Sequence, residues 1–172
     1  MIETERLILR PLTVDDFENV HLLWAQTEIG ALWRGAPLSR EEREKRRAVQ
    51  VSLWEDQGYG MFAWIDRSNR AFVGEGGLSH FQRDFGPEFD DSPEAAWALM
   101  PEYQGRRFAY EAMRAVHDWY RENFGAQRTV CIIDPGNLPS IRLAQRLSYR
   151  AIDERDYRDA QVTVFERAAD TE

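Results

Sequence analysis

Residues 103–112 read YQGRRFAYEA and come two residues after the apolar run AAWALM. A strand that gives way at once to a tight turn and a helix leaves the first N–H groups of that helix unpaired and pointing one way, where the helix dipole also favours negative charge. Gln104, Gly105, Arg106, Arg107, Phe108 and Ala109 make up that turn, and the chemistry it offers is the binding of an anion, phosphate being the usual one. The small residues Gly105 and Ala109 let the backbone come close to such a group. The same string reads equally as a capped helix start with no ligand. Asn137 and Ser140, in DPGNLPSIRL, are by residue type an N-cap and a first-turn hydroxyl. Three scattered His and one Cys fit no metal-ligand spacing, and neither GxxxxGK[ST] nor GxGxxG occurs.

The elements that must position these residues follow from the hydrophobic pattern. Leu7 to Leu9 read as a short strand closed by Pro11. Thr13 and Asp16 read as a helix cap before Phe17, Val20, Leu23 and Trp24, and that helix is expected to run to about Gln26. EIGALWRGAPL reads as a loop. Ser39 then caps a helix through SREEREKRRAVQVSLWED, whose mixed charges predict a solvated face. MFAWI and AFVGEGGLSHF predict a β-hairpin about DRSNR. RDFGPEFDDSPE predicts a solvated acidic loop and AAWALM a strand. Phe108, Ala112, Ala115, Val116, Trp119, Tyr120 and Phe124 give the clearest helical period in the chain, ended by Gly125. TVCII reads as a buried strand, LPSIRLAQRL as a short helix, and YRAIDERDY with QVTVFER as a closing strand pair. The predicted fold is a single mixed α/β (α+β) domain over residues 1–172, with one mostly antiparallel sheet of about six to seven strands flanked by about four helices.

Composition sets the class. With 172 residues, 43% hydrophobic and 12% aromatic, the chain has material for one packed core. A net charge of -8 without a basic cluster disfavours nucleic acid. Cys131 has no partner for an intrachain disulfide, the N-terminus has no signal-peptide pattern, and no run approaches the roughly 18 apolar residues of a membrane span. A cytoplasmic protein without membrane contact, monomer or homodimer, is the expectation.

The whole sequence resembles the GNAT superfamily of acetyl-coenzyme A-dependent N-acetyltransferases, and especially the branch of ribosomal-protein N-terminal acetyltransferases. ETERLILRPLTVDDF, FVGEGGL, MPEYQGRRFAYEA and NLPSIRLAQRLSY carry the resemblance, in that order and over essentially the full length. The family's pyrophosphate loop is Gln or Arg, two variable residues, Gly, one variable residue, then Gly or Ala. Gln104 and Ala109 match it, while Arg107 stands where Gly is usual; its backbone N–H stays usable if φ is negative. The resemblance implies acetyl-coenzyme A as cofactor, held by residues 104–109, with its pantetheine arm along the main chain of Ala98, Leu99 and Met100. It also implies that Asn137 bonds that arm and that Ser140 lies near the sulfur as proton donor to the leaving thiolate. Ala144 stands where many relatives have a Tyr for that task, and Ser148-Tyr149 stands where the family has Gly-Phe.

Acyl transfer from a thioester to an amine needs a neutral amine and a protonated leaving sulfur. Asp156, before Tyr157 in a late strand, is the first candidate base by resemblance to the ribosomal-protein branch; Glu75 and His80 are others that could face the acceptor cleft. Trp33 is expected to line the acceptor groove. Asp84, Glu88, Asp90, Asp91 and Glu94 read either as a steering field for a cationic amine or, more simply, as solvated loop. Cys131, inside an apolar strand, is a poor nucleophile. The acceptor implied is a peptide or protein N-terminus; a small-molecule amine (aminoglycoside, polyamine or amino acid derivative) and a non-catalytic coenzyme A-binding module are the alternatives.

Overall fold

The computed structural model describes residues 1–26, 40–158 and 160–169. In chain order the elements are β1 (Ile2–Glu3), β2 (Leu7–Pro11), a 3-10 turn at Val14–Asp16, α1 (Phe17–Gln26), α2 (Arg40–Gln57), β3 (Met61–Asp66), β4 (Phe72–Ser79), α3 (Pro87–Asp90), β5 (Glu94–Leu99), a 3-10 turn at Pro101–Tyr103, α4 (Phe108–Phe124), β6 (Thr129–Ile133), α5 (Leu138–Arg146), β7 (Arg150–Tyr157) and β8 (Ala160–Arg167). The two elements beyond the expected set are β1 and α3, of two and four residues, too short to leave a period in the sequence.

Eight strands form one sheet in the order β1-β2-β3-β4-β5-β6-β8-β7. Every neighbouring pair is antiparallel except β5 and β6, which run parallel and share a single register pair, Glu94 with Val130. Val130 N–H donates to the Pro93 carbonyl at 3.0 Å, and beyond that point the two strands part. The sheet is therefore continuous at one end of β5 and split at the other.

The core lies on both faces. On one face α4 packs Phe108, Ala112, Met113, Val116 and Tyr120 onto Leu7, Leu9, Phe62, Trp64, Val73, Leu99 and Phe165. On the other, Val20 of α1 packs on Leu12, Met61 and Ala63, and Phe89 of α3 packs on Val130, Ile132, Val162 and Val164. Trp64 is fully buried because β4 offers it a glycine: a Cβ at Gly76 would stand 2.3 Å from the indole ring. Such bare backbone is why GEGG occurs inside a core strand.

Thr13 and Asp16 do form a cap, Asp16 Oδ2 accepting the Thr13 N–H at 2.9 Å, and Gly125 ends α4 with φ 82°. The predicted solvated faces are less solvated than their charges suggested. Arg47 of α2 turns inward onto Glu75 of β4, and Glu94, expected in an acidic loop, is the buried first residue of β5, paired with Arg83 from the start of the same predicted loop.

Candidate active site

The turn at 104–107 is exposed, and α4 begins its main-chain ladder with Glu111 N–H to the Arg107 carbonyl at 3.1 Å. Among the described residues, the N–H groups of Gly105, Arg106, Arg107, Phe108, Ala109 and Tyr110 donate to no carbonyl, which leaves six donors for a group outside the turn. The turn is braced from below. Glu111 accepts from Thr4 Oγ1 (2.6 Å), Arg6 N–H (2.8 Å) and Arg6 Nε (2.6 Å), and Arg6 also donates to the Arg106 carbonyl at 3.1 Å. The Arg6 and Arg106 guanidiniums lie 4.1 and 5.1 Å from the centre of the Phe108 ring. Gln104 points its amide at the Leu99 carbonyl, 3.1 Å away, tying the turn to the end of β5.

Arg107 corrects one expectation. Its φ is 65° and ψ 14°, the left-handed region, so the glycine-type backbone of the family's loop is kept with an arginine in it. Ser148, in the family's other glycine position, repeats this with φ 68°. Tyr149 beside it is not a neutral change: its hydroxyl meets Thr129 Oγ1 at 2.7 Å and His117 Nε2 at 3.3 Å inside the core.

Strand alternation decides which main-chain groups of β5 face the split. Met100 N–H donates to the Val73 carbonyl, and the register pairs Glu75 with Ala98 and Gly77 with Ala96, so the even-numbered residues bond β4. Trp97 and Leu99 therefore turn their N–H and C=O groups toward the opening. Of the three residues expected to meet a pantetheine arm, Leu99 faces it, while Ala98 and Met100 are engaged with β4.

A cavity of about 100 Å³ occupies the split. Ala95, Trp97, Cys131, Ile133, Asn137 and Ser140 line it from the α4–α5 side, and Trp24, Glu75, Glu94, Ala96, Arg83 and Tyr157 from the other. Asn137 caps α5, its Oδ1 accepting the Ser140 N–H at 3.2 Å; the Ser140 hydroxyl accepts from the Trp97 indole N–H at 3.2 Å.

Glu75 is 1% exposed, and both of its oxygens are taken: Oε1 accepts from Trp24 Nε1 (2.8 Å) and Arg47 (2.7 Å), Oε2 from Arg47 (2.7 Å). Glu94 mirrors it across the cavity, with Arg83 donating to its carboxylate at 2.8–3.2 Å and to the Tyr157 hydroxyl at 2.9 Å. Burial pushes the Glu94 carboxyl above its usual range against the pull of Arg83. Burial also pushes the Cys131 thiol well up, which keeps it from acting as a thiolate.

The other sequence candidates lie apart. Asp156 is exposed and does not line the cavity; alternation along β7 sends its neighbour Tyr157 there instead. His80 also lies off the lining. Its Nδ1 faces the Asp90 carbonyl at 3.1 Å and carries a proton; in the neutral ring Nε2 then accepts from the Tyr59 hydroxyl at 2.7 Å. Trp33 falls outside the described residues. Among the lining residues missed in the sequence are Trp24, Arg83, Trp97 and Tyr157. A glutamate set among glycines in an apolar strand does announce the need for a buried cation such as Arg47, but not which one.

The family model of the acetyltransferase (GNAT) domain matches residues 6–150. The chain belongs to the GNAT family. It is an acetyl-coenzyme A-dependent acetyltransferase. A Bordetella pertussis protein assigned to the same acetyltransferase family superposes with a TM-score of 0.87 at 33% identity, over 97% of this chain and 98% of that one. At 18% identity the fold alone is shared with two enzymes of different acceptors. One, from Salmonella typhimurium, modifies the N-terminal serine of ribosomal protein L7/L12 (TM-score 0.75; 97% of each chain covered). The other, spermidine N-acetyltransferase from Vibrio cholerae, was solved with coenzyme A and spermine (TM-score 0.72; 96% of this chain, 97% of that). No described helix is long and apolar enough to cross a membrane.

Proposed function

We propose that this acetyltransferase acts on a primary α-amine at a peptide or protein N-terminus. One observation carries the choice: both buried carboxylates that line the cavity are held by arginines, Glu75 by Arg47 and Glu94 by Arg83. A polyamine or lysine side chain, with pKa near 10.4, is about 0.1% neutral at pH 7.5 and needs a free base and a negative wall. An α-amine, with pKa near 7.9, is roughly a third neutral at that pH and needs far less help. The cavity fits the second kind of acceptor.

Acetyl-coenzyme A supplies the acetyl group as a thioester, whose C–S bond is exchanged for a C–N bond to the acceptor with release of the thiol. In this reading the six free N–H groups of residues 105–110 hold its diphosphate, with Gln104 bracing the turn. The main chain of Trp97 and Leu99 and the side chain of Asn137 orient the arm in the split. Ser140 gives its hydroxyl proton to the departing sulfur and regains one, through solvent, from the acceptor nitrogen, so charge balances over the cycle. Asp156 and Glu75 take no proton.

The test is thiol release with a panel of acceptors: peptides with a free N-terminus, an Nα-blocked peptide containing lysine, and spermidine. Peptide turnover through the α-amine alone is expected. Faster turnover of spermidine or of the blocked peptide would overturn the assignment.

A further inference from the structure

Trp97 and Ser140 meet across the split in the sheet. Trp97 stands on β5 and Ser140 in the first turn of α5, 43 residues later, with 3.2 Å between indole Nε1 and Oγ. The direction of this bond is fixed by chemistry, because an indole nitrogen has a hydrogen to give and no lone pair to accept with. Ser140 is therefore the acceptor, and its single proton is left for another partner.

That constraint matters in a first-turn serine. A serine hydroxyl near a helix start can instead turn to neighbouring backbone groups, where its proton is lost to chemistry in the cavity. Here one lone pair of Oγ is occupied by the indole, and the main-chain N–H of the same residue is held by Asn137 Oδ1 at 3.2 Å. Backbone and hydroxyl are thus tethered independently. Both Trp97 and Ser140 line the cavity, together with Asn137 and Ile133.

We propose that Trp97 is a positioning residue: its indole N–H orients the Ser140 hydroxyl so that the serine proton points into the cavity, toward the site of the leaving sulfur. The proposal rests on the reading of Ser140 as proton donor. It assigns Trp97 a task on turnover rather than on cofactor binding, although its main chain borders the same groove.

Four proteins test it, namely the wild type, Trp97→Phe, Ser140→Ala and the double variant, each measured for kcat, for KM and for coenzyme A affinity by titration calorimetry. Trp97→Phe keeps an aromatic wall and removes the N–H. It is expected to lower kcat about tenfold or less, the rate equivalent of one neutral hydrogen bond, with coenzyme A affinity within about twofold of wild type. In the Ser140→Ala background the same change is expected to cost nothing further in kcat. Multiplying effects in the double variant, or an affinity loss as large as the rate loss, would overturn the proposal. Full kcat in Ser140→Ala would remove the donor role of Ser140 and this proposal with it, whereas a slow Ser140→Ala beside an unaffected Trp97→Phe would sink the role of Trp97 alone. If the Phe variant does not fold, Trp97→Leu, which also carries no hydrogen-bond donor, must give the same pattern.

Discussion

Replacing Arg107 by glycine and, separately, by alanine separates what its backbone does from what its guanidinium does. The residue sits at φ 65° and ψ 14°, where an L side chain costs about 1–2 kcal/mol through the clash of its Cβ with the following carbonyl. Glycine relieves that strain but loses about 0.4–1 kcal/mol to the greater freedom of the unfolded chain. Alanine keeps the Cβ and so keeps the strain. The difference between the two variants is therefore about 1 kcal/mol in favour of glycine, or a melting temperature about 2–4 °C higher for a domain of this size. Thermal unfolding followed by circular dichroism reads that difference. Titration calorimetry reads the other half: because the loop binds through main-chain N–H groups, coenzyme A affinity in both variants is expected to stay within about twofold of wild type or to improve in the glycine variant. A glycine variant that melts below the alanine variant would refute the left-handed backbone. An affinity loss of about tenfold in both would make the Arg107 side chain a phosphate ligand.

Three further outcomes follow from the same geometry. Glu75→Gln leaves Arg47 without its buried counter-charge and should cost about 3 kcal/mol in urea unfolding; a change under about 1 kcal/mol would show that the pair is not buried in solution. Tyr149→Phe removes the hydroxyl shared by Thr129 and His117 and should cost about 1–3 kcal/mol, against no change if Tyr149 merely substitutes for phenylalanine. Burial works against the charge on Asp16, yet the paired N–H donors of Arg10 and the Thr13 N–H outweigh it and hold the carboxyl below its ordinary range. A carboxyl lowered in this way contributes stability above its unfolded pKa and loses it as pH falls through the folded value. Asp16→Asn should therefore flatten the acid limb of a stability-versus-pH curve, and an unchanged limb would contradict the pairing.

Much of the fold was legible because it depends on local pattern. The seven-position apolar period of α4, the Thr13–Asp16 cap and the stop at Gly125 are properties of adjacent residues, and they place the loop at 104–109 without any tertiary information. What the sequence hid depends on long-range partners or on backbone angles that residue type disguises. Arg47 looked like solvated charge because its partner Glu75 lies on another element, and Glu94 did so because the stretch it shares with Arg83 is acidic and polar. Arg107 and Ser148 concealed left-handed turns because neither is glycine. At the candidate site, motif singled out Asn137 and Ser140, which line the cavity, and the exposed turn at 104–109. Asp156, picked from the sequence, is exposed, while its neighbour Tyr157 lines the cavity: a shift of one residue along a strand changes the face.

The central claim is that coenzyme A lies on the free main-chain donors of residues 105–110 and then in the split between β5 and β6. Amide resonances of the 15N-labelled protein, titrated with coenzyme A, test it most directly. The largest shifts are expected at 105–110, Trp97 and Leu99, with the even-numbered β5 residues Ala96 and Ala98 moving less. Shifts concentrated elsewhere, leaving the turn and β5 unmoved at saturation, would contradict the account.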